Sequence, residues 1–192
     1  AIHGPSTDRG IYKTTDGGKN WERILFVNEN TGCADLSMDM NNPGVLYAGM
    51  WDHRRLPWLV RSGGPGSGLY KTTDEGKTWI KLTSGLPEKM GKVAIDVSRA
   101  NPNRVYANIE SEDGKGGVFS SQDGGQNWSQ TSKARVTVAR AWYYIEIFAD
   151  PQHENTVYVL NAPALVSIDG GKNFQTLPTP HGDNHWLWID PT

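Results

Sequence analysis

Short stretches of alternating hydrophobic and polar residues run along the whole chain. In its middle, such stretches span Lys92–Ser98, Val105–Glu110, Gly117–Gln122 and Trp128–Thr131, separated by glycine, proline and asparagine. Alternation with a period of two, in β-branched and aromatic residues, predicts β-strands. No segment carries an apolar stripe at helical spacing. The pattern therefore predicts an all-β protein built from short antiparallel strands.

One sequence motif recurs along the chain. Its copies are GIYKTTDGGKNW, GLYKTTDEGKTW, GVFSSQDGGQNW and ALVSIDGGKNF, at residues 10–21, 68–79, 117–128 and 164–174. They share the pattern Ser/Thr-x-Asp-x-Gly-x-x-Trp/Phe, and successive aspartates lie 46–58 residues apart. A repeat of this period predicts a β-propeller in which each unit contributes about four strands.

A second motif alternates with the first. Its copies are SMDMNNPGVLYAG, AIDVSRANPNRVYAN and IFADPQHENTVYVLN, at residues 37–49, 94–108 and 147–161, and WLWIDPT at 186–192 begins another. Each complete copy reads as two strands joined by a turn rich in Asn and Pro. The two motifs together therefore account for all the strands of a unit.

The repeats predict a single β-propeller segment over residues 1–192, with three full blades of four antiparallel strands and parts of two more. The partial blade covers residues 1–27, the full blades cover about 33–82, 92–131 and 143–177, and the next blade starts at 185–192. We expect a fragment of a larger propeller. In the alternative interpretation, His185–Asp190 completes the first unit and closes a ring of about four blades.

The aspartate, glycine and aromatic residue of the first motif are predicted to be structural. A short carboxylate accepts hydrogen bonds from the N–H groups of its own turn, glycine supplies a positive φ, and the aromatic ring packs between sheets. These residues are Asp16, Gly18, Trp21, Asp74, Gly76, Trp79, Asp123, Gly125, Trp128, Asp169, Gly171 and Phe174.

At these residues the chain resembles the Asp-box, or BNR, repeat of β-propeller proteins. The stretches DRGIYKTTDGGKNW (8–21), GMWDHRRLPWLVRSGGPGSGLYKTTDEGKTW (49–79) and HGDNHWLWIDP (181–191) resemble those of bacterial sortilin-like and xyloglucanase-like propeller proteins. The resemblance covers essentially the whole chain and implies an extracellular, cell-surface or periplasmic location. It points to a fold more than to an activity, because such folds host unrelated functions.

Composition narrows the possible functions. Lys and Arg number 19 against 21 Asp and Glu, a net charge of −2, so we expect no nucleic-acid partner. No apolar run approaches the ~18 residues that cross a bilayer, so no membrane span is expected. Cys33 is the only cysteine, which precludes an internal disulfide bond. No cofactor and no metal site are predicted.

The first candidate site is HGDNH at residues 181–185. His181, Asp183 and His185 share one face if the segment is extended. Such a group can hold a metal, line a channel and contact a ligand, or make hydrogen bonds within a loop. The spacing matches no standard zinc signature, so we treat the three residues as candidate ligand contacts.

The second candidate site is a long loop predicted between two strands, Met50–Ser67. Loops longer than about 12–15 residues are uncommon unless they are functional or disordered. Its ligand-binding candidates are Trp51, Arg54, Arg55 and Trp58, because Trp and Arg dominate binding hot spots. In the alternative interpretation, the loop folds back and buries Trp51 and Trp58 against a neighbouring blade.

The third candidate site is the run Arg135–Asp150. Arg140 and Trp142 come just before a predicted innermost strand and are candidate ligand contacts. Within that strand Glu146 either lines the channel or is paired in the core, and we expect a solvated channel position.

Glycoside hydrolysis requires two carboxylates about 5–10 Å apart. The candidates are Asp183, Glu146, Glu110, Glu112 and Asp113, and none matches the xyloglucanase catalytic aspartates residue by residue. We therefore assign no catalytic residue.

We expect a non-enzymatic ligand- or protein-binding scaffold of the sortilin-like type. One alternative is a glycoside hydrolase of the xyloglucanase-like type, and the other is a structural or assembly subunit of a larger envelope complex. The expected partners are a protein, peptide or glycan ligand, together with the rest of the same propeller or an envelope complex.

Overall fold

The computed structural model describes residues 3–192, which form four antiparallel sheets that follow one another along the chain. Sheet 1 contains β1 (Ile11–Lys13) and β2 (Glu22–Leu25). Sheet 2 contains β3 (Thr31–Met38), β4 (Leu46–Leu56), β6 (Gly68–Thr72) and β7 (Ile80–Leu82) in that order, and β5 (Leu59–Ser62) pairs with β4. Sheet 3 contains β8 (Met90–Val97), β9 (Val105–Ser111), β10 (Gly117–Ser121) and β11 (Ser129–Ser132). Sheet 4 contains β12 (Glu146–Ala149), β13 (Val157–Leu160), β14 (Ala164–Ser167) and β15 (Gln175–Thr176).

The all-β prediction is confirmed, and the described residues contain only one turn of 3-10 helix, at Arg135–Thr137. Neighbouring sheets pack face to face, and a hydrophobic core lies at each junction. Successive side chains of a strand point to opposite faces of its sheet, so one strand contributes to two cores. Tyr47 of β4 faces sheet 3, whereas its neighbour Ala48 faces sheet 1. Sheets 2 and 3 are therefore buried on both faces. No helix within residues 3–192 is long and apolar enough to cross a membrane.

In sheets 2, 3 and 4 the Asp-box forms the turn between the third and fourth strands, and in sheet 1 it joins β1 to β2. In the first box, the Asp16 carboxylate accepts hydrogen bonds from the backbone N–H groups of Lys19 and Asn20, and Thr14 donates to it as well. The hydrogen bonds from Asn20 hold the pKa of Asp16 at about 2. Gly18 follows with a φ of +89°, a conformation that a side chain would strain.

The prediction of a long loop over Met50–Ser67 is wrong, because most of this segment is a β-hairpin. β4 continues to Leu56, and β5 pairs back onto it from Leu59, so that Pro57 and Trp58 form the tip. We call residues 51–62 the arm. The arm forms because each strand satisfies the backbone hydrogen bonds of the other, which a structureless loop leaves to water.

Residues 185–192, in which the sequence predicts the first strand of a next blade, have no strand assignment. A strand requires a partner, and none of the pairings within residues 3–192 includes this segment. The segment therefore does not pair with sheet 1, as the four-blade ring would require. It lies instead beside β12, where the Trp186 ring meets the Phe148 ring edge-on at 5.4 Å.

Candidate functional site

The first strand of each full sheet lines a common cavity. β3, β8 and β12 lie side by side, and residues 186–191 run along the open side of β12. Together they enclose a cavity of about 360 Å³. Its apolar lining includes Leu36, Met38, Phe148, Trp186 and Trp188, and its charged lining consists of Asp35, Asp96, Arg99 and Glu146. The cavity therefore combines aromatic rings with carboxylates.

Asp35 joins two of the lining strands. Its carboxylate accepts one hydrogen bond from the backbone N–H of Ile95 on β8 and another from its neighbour Leu36, both at 2.8 Å. Burial raises the pKa of Asp35 to about 6, although the two N–H donors favour the ionised form. Both carboxylate oxygens are thus engaged by backbone N–H groups.

Asp96 makes the corresponding connection from β8 to β12. Its carboxylate accepts a hydrogen bond from the backbone N–H of Ala149 at 2.8 Å and another from the Ser37 hydroxyl at 2.7 Å. Ser37 in turn accepts from the backbone N–H of Val97. Burial raises the pKa of Asp96. The three lining strands are consequently tied together by acidic side chains.

Glu146 differs from these two aspartates. No hydrogen bond to its carboxylate is found among the described residues, and its side chain is only partly buried, which agrees with the expected channel position. Burial raises the pKa of Glu146 to about 7; the Asp35 charge adds to the rise, and Lys92 opposes it. Among the described carboxylates that line the cavity, Glu146 is the one free to meet a ligand.

Lys92 connects the cavity to the arm. Its ammonium group donates to the Tyr143 carbonyl at 3.5 Å and lies 5.4 Å from the centre of the Trp51 ring. Burial lowers the pKa of Lys92, whereas nearby Glu146, Asp35 and Glu110 oppose that shift. Glu110 accepts hydrogen bonds from the Lys92 backbone N–H and from Ser62 of the arm. The arm is thereby fixed to sheet 3.

Just before the lining residue Trp186 in the chain, three predicted site residues come together. Asp183 accepts from the Arg140 guanidinium at 3.4 Å and lies 3.6 Å from Nε2 of His185. The His185 ring stacks on Tyr144 with 4.1 Å between ring centres and meets Tyr143 edge-on. Asp183 adopts a φ of +67°, an uncommon backbone conformation for a residue with a side chain. We call this cluster the channel mouth.

The remaining predicted residues lie in different surroundings. Trp142 is half-exposed beside Tyr143, with 5.9 Å between ring centres, and so extends the channel mouth. His181 is exposed, and its Nδ1 lies 2.6 Å from the Gly182 carbonyl, so it does not join Asp183 and His185. The described residues contain no group of three or more His, Cys, Asp or Glu side chains arranged to hold a metal.

The arm separates its candidate residues. Trp51 is partly buried, donates to Ser62 at 3.0 Å and stacks on His53. Arg54 donates to Asn30 in the turn that precedes β3, whereas Arg55 is exposed. Trp58 at the tip is 80% exposed. The fold thus partly buries Trp51 and leaves Trp58 in solvent.

Sequence reasoning did not single out Asp35, Asp96, Trp186 and Trp188. The two aspartates could have been found by aligning the repeats at Tyr47, Tyr106 and Tyr158. That alignment places Asp35 and Glu146 at one position of the first strand, and Asp96 two residues further along. The alternation in WLWID could likewise have indicated that the two tryptophans share a face.

The chain carries a BNR/Asp-box repeat, since the family model of that description matches residues 12–23. The chain is similar to a vacuolar protein sorting/targeting protein 10 of Colletotrichum graminicola, with 28% identity over 53% of this chain and 6% of that protein. It is also similar to a probable oligoxyloglucan-reducing end-specific xyloglucanase of Neosartorya fischeri, with 24% identity over 91% of this chain and 23% of that protein. The resemblance to sortilin-like and xyloglucanase-like proteins is thereby confirmed.

Solved structures show the same fold. The GH74 enzyme of Niastella koreensis superimposes with a TM-score of 0.63 and 20% identity, over 91% of this chain and 27% of that one. YCF48 bound to a D1 peptide gives a TM-score of 0.52 and 16% identity, over 92% of this chain and 46% of that one. The chain is therefore made of β-propeller blades, and it spans less than half the length of each protein named here.

Proposed function

We propose that this chain is part of a ligand-binding β-propeller and that its cavity and channel mouth hold a protein or peptide segment without catalysing a reaction. One observation carries the proposal. The cavity offers aromatic rings beside a single unengaged carboxylate, because Asp35 and Asp96 are held by backbone N–H groups. Such a surface suits recognition, in which apolar anchors supply affinity and a few polar groups fix orientation.

The relatives support a binding role without restricting it. One similar structure is described as YCF48 bound to D1 peptide, so this fold accepts a peptide in at least one protein. The extracellular, cell-surface or periplasmic location implied by the resemblance is part of the proposal.

The test is a fluorescence-anisotropy screen of a random synthetic peptide library against the chain. We expect binders whose affinity falls at least tenfold in Trp186→Ser and Trp188→Ser, because these rings line the cavity. Trp58→Ser is the matched control, since that equally exposed ring lies at the tip of the arm. Binders that tolerate both cavity substitutions would contradict the proposal.

A glycoside hydrolase remains the second candidate, on one specific observation. Asp35 and Glu146 line the same cavity, and burial raises the pKa of each carboxyl, which is the property of a general acid. This candidate would be favoured if the unmodified chain releases reducing sugar from xyloglucan and Glu146→Gln does not. Unchanged polysaccharide on incubation with the chain would favour the binding role.

A further inference from the structure

The charges that line the cavity are unequal. Among the described residues, the lining contains three carboxylates and one guanidinium, which belong to Asp35, Asp96, Glu146 and Arg99. The Arg99 charge acts on Asp96, whose carboxylate two donors already hold. The charged groups that act on Glu146 are Asp35 and Lys92. Negative charge is therefore in excess around Glu146.

Lys92 does not neutralise Glu146. Its ammonium group donates to the Tyr143 carbonyl and lies against the Trp51 ring of the arm, and it is not part of the cavity lining. The ion pairs within residues 3–192 do not include Glu146. The Asp35 charge, in turn, opposes ionisation of Glu146. A positive charge brought into the cavity would relieve this repulsion.

The wall beside Glu146 is apolar and aromatic. Phe148 lies two residues further along β12, and side chains at this spacing stand on the same face of a strand. The Trp186 ring meets the Phe148 ring edge-on, and Met38 also lines the cavity. Aromatic faces attract cations as well as apolar groups. A ligand group that suits the cavity thus has an apolar stem and a positively charged end.

These features discriminate among the side chains of a bound segment. Lys and Arg side chains combine an aliphatic stem, which packs on apolar surface, with a charged head. An uncharged apolar side chain leaves the Glu146 carboxylate without a partner, and an acidic one adds to the repulsion between carboxylates. The cavity volume of about 360 Å³ is at the lower end of ordinary ligand pockets, which suits one long side chain.

We propose that the bound segment inserts the side chain of a lysine or arginine residue into this cavity. The positively charged group meets the Glu146 carboxylate, and the stem lies along the Phe148 and Trp186 rings. This inference rests on the proposed function, because it names the residue type by which the chain recognises its segment. The binding role alone predicts no such dependence on one positive charge of the ligand.

Binding should be linked to the titration of Glu146. Its pKa of about 7 means that the carboxyl is half protonated near neutral pH, and a cation binds the ionised form more tightly. Affinity should therefore rise about tenfold between about pH 6 and about pH 8. Asp35 on β3 and Lys92 on β8 act on the same carboxyl, and the residues of 186–191 that line the cavity are uncharged.

The test combines changes in the peptide and in the protein. In binders from the anisotropy screen, each Lys or Arg is replaced in turn by norleucine, which keeps an aliphatic chain without a charge. Glu146→Gln keeps the shape of the protein side chain and removes its charge. We expect one norleucine substitution to lower affinity for the unmodified chain about tenfold or more, and to change affinity for Glu146→Gln little.

Glu88→Gln is the matched control, since it removes one negative charge at an exposed position outside the cavity lining. It should leave both the preference for the cation and the pH dependence unchanged, whereas Glu146→Gln should abolish both. Thermal melts of the two variants check that each is folded, so that a loss of affinity reports on the charge.

Three outcomes would overturn the proposal. Binders that depend on Trp186 and Trp188 but tolerate norleucine at every basic position would leave the proposed function standing and refute this inference alone. Equal losses of affinity for the original and the norleucine peptides in Glu146→Gln would show that the carboxylate acts through the fold. A library without any binder would refute the proposed function together with the inference that rests on it.

Discussion

At the scale of single residues, the innermost strands are held together by carboxylates that act as acceptors for the backbone of the next strand. Asp35 receives the N–H of Ile95, and Asp96 receives the N–H of Ala149. Burial of a carboxylate is unfavourable, as the raised pKa of each aspartate reflects. The hydrogen bonds offset that cost, because a buried N–H without an acceptor is itself destabilising.

Asp96→Ala should lower the free energy of unfolding by about 2 kcal/mol, because it leaves the Ala149 N–H and the Ser37 hydroxyl without their acceptor. Urea denaturation measures the loss. Asp16→Ala serves as a comparison. It should leave the channel strands in place, because the exposed Asp16 contacts only its own turn. Equal stability of Asp96→Ala and the unmodified chain would contradict the role given to this carboxylate.

Glu146 predicts a pH dependence of stability. Its pKa is about 7 in the folded chain against an ordinary 4.5, so the folded state favours the protonated form. The unfolding free energy should therefore fall as the pH rises from about 4.5 to about 7. The charged groups that face the Glu146 carboxyl are Asp35 on β3 and Lys92 on β8.

Replacing Glu146 by Gln should remove that loss. Because the side chain is partly solvated, we expect Glu146→Gln to be more stable than the unmodified chain by about 1–2 kcal/mol near pH 8 and equal to it near pH 4.5. Denaturant titrations at the two pH values measure the difference. A gain that is the same at both pH values would show that titration of Glu146 is not its cause.

At the scale of elements, the sequence predicts the strands well because periodicity and turn residues agree. In sheet 3, the strands lie within two residues of the predicted bounds. The arm was missed for a local reason. Its tip is Pro57–Trp58, which lacks the Asn-Gly or Asp-Gly signal of a tight hairpin, so the segment reads as a loop.

The box aromatics should differ in their contribution to stability according to the sheet in front of them. Trp128→Ala should cost about 3–5 kcal/mol, because Trp128 is 4% exposed in the core between sheets 2 and 3. Trp21→Ala should cost less than about 1 kcal/mol, because that ring is 61% exposed. Chemical denaturation of both variants gives the comparison, and equal costs would mean that packing between sheets is not what the ring supplies.

At the scale of the whole molecule, each sheet contacts only its neighbours, so stability should vary along the stack. Sheet 3 has a core on both sides, whereas sheet 1 has only two strands and one covered face. Amide hydrogen exchange should therefore be slowest in β8, β9 and β10 and fastest in β1 and β2. Uniform protection along the chain would show that the sheets unfold as one unit.

The site was predictable only in part, and the reason is distance along the chain. Asp183 and His185 were chosen together from HGDNH and Arg140 from a different run of the sequence, and the fold brings the three together. The contacts of Asp35 and Asp96 join a side chain to a backbone N–H more than 50 residues away. Such a partner has no sequence signature, because every residue except proline carries that N–H.

The same feature bears on how a chain of this kind can grow by duplication of its gene segment. In the contacts of Asp35 with Ile95 and of Asp96 with Ala149, only one partner is specified by a codon, since the other is a main-chain N–H. A duplicated unit therefore carries a carboxylate that can accept a hydrogen bond from the backbone of any neighbouring unit. Later side-chain substitutions in that neighbour leave the hydrogen bond intact. The residues that donate the N–H are free to differ, as Ile95 and Ala149 do.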